Sequence, residues 1–88
     1  MSGGADQLVK MANDIGHFFR AQPKREDAVL GIANHIHSFW TVRMRQKLLT
    51  RIAHGDARGL EDLPRAAMQV IAERESSLPP PPPGGDAG

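Results

Sequence analysis

The chain has 88 residues, no cysteine, seven prolines and four aromatic side chains, Phe18, Phe19, Phe39 and Trp40. Removing the ends, Met1–Ala5 and the Ser76–Gly88 tail with its Pro79–Pro83 run, leaves 70 residues (6–75), enough for one small domain. Without cysteine, disulfides, thiolate zinc sites and iron–sulfur ligation are excluded.

The net charge of +1 is unevenly spread. Residues 1–27 hold four basic and four acidic groups. Residues 28–55 hold Arg43, Arg45, Lys47 and Arg51 and no acid. Residues 56–88 hold three basic and six acidic groups. A basic block therefore precedes an acidic one, and a pI near 8.3 falls short of a dedicated nucleic-acid domain. Met1–Ala5 lacks a basic n-region and no apolar run is long enough to span a membrane, so a soluble cytoplasmic protein is expected.

Asp6 is a plausible N-cap for a first helix. Leu8, Met11, Ala12, Ile15, Phe18 and Phe19 follow at helical spacing within an arc of about 120°. Lys10, Asn13, Asp14, His17 and Arg20 take the other side. A second helix is expected from about Pro23 to Phe39, with Glu26 and Asp27 favouring its positive end. Its apolar side is Val29, Ile32, Ala33, Ile36, Phe39 and Trp40. Gly31 lies off that side and reads as a weakness of about 1 kcal/mol relative to alanine.

Thr41 can cap a third helix through about Ala53, with Gly55 as its left-handed stop. Met44, Leu48, Leu49 and Ile52 are apolar, and Arg43, Lys47 and Arg51 form a basic row. Gly55–Gly59 is a loop. A fourth helix begins at Asp62 or Leu63, with Pro64 in its first turn and Leu63, Ala67, Met68 and Ile71 inward. The expected fold is all-α: a bundle of three to four short helices (6–75), a flexible N-terminus (1–5) and a disordered proline- and glycine-rich tail (76–88).

Chemistry of its own is hard to find in this chain. His35 and His37 point about 200° apart on a helix, and His17 and His54 lie elsewhere, so no metal site is expected. No serine sits in a nucleophile-elbow motif, and the paired glycines are terminal, so neither catalytic residues nor a phosphate-binding loop is expected. Arg45 and Arg51 are candidates for phosphate contacts. The aromatic pairs are more informative: each ends a helix and covers a wide arc. Phe18 and Phe19 are expected to hold the first two helices together. Phe39, Trp40, Arg43 and Arg45 are the candidate partner interface, since Trp and Arg are common interface anchors.

The segment Met11-Ala12-Asn13-Asp14-Ile15-Gly16-His17-Phe18-Phe19 resembles the opening motif of the delta subunit of NAD-dependent formate dehydrogenase. Ala28–Ile36 is similar to that family's A-x-x-G-I-A-x-H-I pattern. Phe39-Trp40-Thr41-Val42-Arg43-Met44-Arg45 is similar to its FW-x-P-R-M-R segment, with Val42 where the family commonly has proline. The resemblance covers about residues 7–72. It implies a non-catalytic accessory subunit of a cytoplasmic molybdenum- or tungsten-dependent enzyme. The alpha subunit would carry bis-molybdopterin guanine dinucleotide and iron–sulfur clusters, and the beta and gamma subunits FMN and the NAD site. The delta chain would bind no cofactor alone and would support assembly, stability or cofactor insertion. The alternative is a small basic helical module binding nucleic acid or another acidic partner.

Overall fold

A computed structural model describes residues 3–76. They form four α-helices, α1 Gly3–Phe19, α2 Arg25–Phe39, α3 Val42–Ala53 and α4 Asp62–Ser76. Among the described residues there is no strand. The all-α bundle is as the periodicity predicts. The expected disordered tail falls on residues 77–88, outside the described residues, except that Ser76 closes α4.

α1 begins at Gly3, three residues ahead of the expected Asp6 cap. After Phe19 the chain turns, with the Gln22 amide donating to the Phe19 carbonyl at 3.0 Å. Pro23 lies in this connection and not in α2. Lys24 is extended (φ −108°, ψ 132°) and the helix starts at Arg25. Trp40 is extended again (φ −92°, ψ 147°), which ends α2, and Thr41 caps α3 as expected: its Oγ1 accepts from the Met44 amide at 3.1 Å. Such a cap contributes about 1 kcal/mol.

The end of α3 is a Schellman motif. The Gly55 amide donates to Ile52 O at 3.0 Å and the Asp56 amide to Arg51 O at 2.8 Å, with Gly55 at φ 70°. Only glycine takes that backbone conformation without strain. In α4, Pro64 is the third residue. The first four amides of a helix have no intrahelical acceptor, so the missing N–H costs nothing there.

α2 and α4 run side by side in the same direction. Arg25 Nη2 meets Asp62 Oδ2 at 2.6 Å near their starts, and Arg74 Nη1 donates to Asn34 Oδ1 at 3.0 Å further along. Between the helices Ile32, Ile36, Leu48, Pro64, Met68 and Ile71 are fully buried. Ala12, Ala33 and Ala67 have no exposed surface, and such small residues let helices approach closely. The loop between α3 and α4 closes one end by inserting Ala57 and Leu60 into the core.

Two glycines mark close helix contacts. A Cβ on Gly16 would stand 2.9 Å from Cδ of Pro64, so α1 meets the start of α4 there. A Cβ on Gly31 would stand 2.6 Å from Cε1 of Phe19. Gly31 is therefore a seat for an aromatic ring and not merely a weak point in α2. The propensity lost at that position is the cost of letting α1 and α2 pack closely.

Candidate docking surface

The two aromatic pairs split, one ring inward and one outward. Trp40 is only 5% exposed, because the extended backbone after α2 places it in the core. Its neighbour Phe39 is 74% exposed. Phe19 is half-buried over Gly31, while Phe18 is 78% exposed. Adjacent helical residues point about 100° apart, so Phe18 and Phe19 face different surroundings.

The two outward rings are joined into one row through Phe19 and His35, both partly buried. Phe18 meets Phe19 edge-on, with centroids 5.1 Å apart and planes at 86°. Phe19 lies 6.3 Å from the His35 ring, and His35 lies 4.6 Å from Phe39. Edge-on and tilted geometries suit the quadrupoles of aromatic rings. The row crosses from the end of α1 to the end of α2.

Beside it is a groove of about 350 Å³ between α1, α2 and α3. Met11, Asp14 and Ile15 form one wall, His35, Phe39 and Trp40 the second, and Met44 the third. Asp14 is paired with Lys10 at 3.3 Å. On α3, Arg43 and Lys47 are exposed. Among the described residues neither pairs with a carboxylate. Contiguous exposed apolar surface rimmed by polar groups is characteristic of protein contact sites.

The expected interface residues therefore divide. Phe39 and Arg43 are at the surface. Trp40 and Arg45 are not: Arg45 is 8% exposed, its Nε donates to Glu75 Oε2 at 3.0 Å and its Nη1 to the Trp40 carbonyl at 3.2 Å. It links α3, α4 and the end of α2 from inside. Of the two aromatic residues expected to hold α1 to α2, Phe19 does so and Phe18 faces solvent. The phosphate candidates are both engaged, Arg45 with Glu75 and Arg51 with Asp56 (Nε to Oδ2 3.2 Å).

Three residues escaped the sequence reading. Asn13 grips the α3–α4 loop: its Nδ2 donates to Gly59 O at 2.9 Å and its Oδ1 accepts from the Glu61 amide at 2.9 Å. His17 Nε2 donates to Glu61 Oε1 at 2.9 Å one turn further along α1. No local spacing connects residues 13 and 17 with 59 and 61. His35 was findable, since it stands four residues before Phe39 and so on the same helix face. His54 Nδ1 donates to Thr50 O at 2.9 Å. Among the described residues no group of three or more His, Asp or Glu could hold a metal ion, and no helix is long and apolar enough to cross a membrane.

The described residues define a small all-α protein, a four-helix bundle with two phenylalanine rings at its surface. The particular family is shown by sequence: the family model described as NADH-dependant formate dehydrogenase delta subunit FdsD matches residues 7–68, and the chain belongs to that family. The matched span contains the whole ring row and the groove beside it. No curated protein and no solved structure matches the chain.

Proposed function

We propose that the chain is a non-catalytic accessory subunit that docks on the other subunits of a cytoplasmic NAD-dependent formate dehydrogenase and supports assembly and stability of that complex. The observation that carries this reading is the exposure of Phe18 and Phe39 at the two ends of one ring row, in a chain of the delta-subunit family. Covering a phenylalanine stabilises by roughly 1.5–3 kcal/mol, so two together are a substantial anchor. Under this reading bis-molybdopterin guanine dinucleotide, the iron–sulfur clusters, FMN and NAD belong to the alpha, beta and gamma subunits.

A part in cofactor insertion, with Arg45 and Arg51 on phosphates, has less support. Both guanidiniums already hold carboxylates of the same chain. Within the basic block, nucleic-acid binding would rest on Arg43 and Lys47, since Arg45 and Arg51 are engaged.

The test is capture of the tagged full chain from its native cells, with mass spectrometry of what comes with it. Recovery of formate dehydrogenase subunits in stoichiometric amounts is expected. Their absence, with the chain folded, would contradict the proposal.

A further inference from the structure

A second cavity, of about 440 Å³, opens where α2 ends, α3 begins and α4 ends. Val42 and Ile71 give it apolar surface, and His37, Arg45, Gln46 and Arg74 bring donors to it. It shares no residue with the ring row or with the groove beside that row. We infer that this cavity is a binding site for a small monocarboxylate with an apolar body. Arg45 holds the carboxylate, and the hydrocarbon part lies against Val42 and Ile71. The inference does not depend on the accessory-subunit reading.

Arg45 is the residue that points to an oxyanion. Its side chain is only 9% exposed, and a guanidinium carries five N–H donors. Nε donates to Glu75 and Nη1 to the Trp40 carbonyl, while Nη2 makes no hydrogen bond among the described residues. No buried side-chain nitrogen or oxygen there lacks a partner. Nη2 is therefore not sealed in the core, and the cavity that Arg45 lines is its outlet. This separates Arg45 from the exposed cations of the surface, which water solvates fully. A nearly buried guanidinium with an open donor gains more from an arriving oxyanion.

Charge and shape narrow the class of ligand. The lining holds two guanidiniums and one carboxylate, an excess of one positive charge with His37 neutral. A monoanion balances that excess, whereas a dianion would leave negative charge beside Glu75. The positive end of the α3 dipole also lies here, since Val42 is the first residue of that helix and its first turn holds no acid. Ile71 is buried and Val42 is 55% exposed, so apolar surface runs from the floor of the cavity to its lip. Apolar walls with a few placed polar groups are the usual make-up of a small-molecule site.

Titration of the isotope-labelled full chain with octanoate, octanol and acetate, followed by NMR, tests the inference. Octanoate should shift the Arg45 Nε–H signal and the amides of Val42, Gln46 and Glu75. It should bind at least about tenfold more tightly than octanol, which lacks the charge, or acetate, which lacks the chain. Octanoate binding no tighter than octanol would overturn the inference, as would shifts centred instead on Met11, Phe39 and Met44.

Removing Arg45 would also break a packing link, so a change at the lip gives a cleaner second reading. Val42→Glu sets a carboxylate at the mouth, and an acid in the first turn of α3 favours the helix, so helical circular dichroism should persist. Val42→Gln has similar size without the charge. Octanoate should bind at least about fivefold more weakly to the Glu variant than to the Gln variant, with the response to octanol alike in both. Equal octanoate affinity in the two variants would overturn the inference and leave the accessory role untouched.

Discussion

Arg45 and Glu75 form an ion pair at 3.0 Å across α3 and α4, with 9% and 30% of their side chains exposed. The same guanidinium donates to the Trp40 carbonyl, a group freed by the extended backbone that ends α2. Three chain segments thus meet at one side chain. Replacing Arg45 with methionine keeps most of its apolar stem but leaves Glu75 without its partner and the carbonyl without its donor. Partial solvation of Glu75 tempers the loss. A destabilisation of about 2 kcal/mol is expected in urea unfolding. Glu75→Gln, which can still accept, should cost less.

Gly31→Ala separates helix propensity from packing. In an isolated helix the change would stabilise by about 1 kcal/mol. In this bundle the new methyl would meet the Phe19 ring at 2.6 Å, a contact that forces the ring aside. The expected net result is a loss of about 1–2 kcal/mol. Combining it with Phe19→Ala should recover that loss in a double-mutant cycle, because the two changes act on one contact.

The α3–α4 loop should open when Asn13 is shortened. Asn13→Ala removes both the donor to Gly59 O and the acceptor for the Glu61 amide. Amide exchange at Glu61 should accelerate, with a stability loss of about 1–2 kcal/mol. Asn13→Asp retains the acceptor and should leave exchange at Glu61 closer to that of the unaltered chain.

These positions show what sequence can and cannot convey. Thr41 as a cap, Gly55 as a left-handed stop and Pro64 in a first turn were legible, because each acts within a few residues of itself. Which ring of each aromatic pair turns inward was not. That choice depends on Trp40 adopting an extended backbone and on Gly31 lying opposite Phe19. Arg45 was misplaced for a related reason. A row of basic residues on one helix does not reveal that an acid thirty residues later will draw one of them inside. The candidate surface was therefore half visible: Phe39 and Arg43 were singled out, His35 was open to the four-residue spacing from Phe39, and the outward turn of Phe18 came from the packing.

The most direct measurement of the central claim is quantitative co-purification of formate dehydrogenase subunits with the Phe18→Ser/Phe39→Ser chain. Both rings are largely exposed, so thermal unfolding should shift little. Recovery of the subunits should fall at least about tenfold, since two large apolar anchors are lost. Recovery equal to that of the unaltered chain, with folding intact, would contradict the claim that the ring row of α1 and α2 is the docking face.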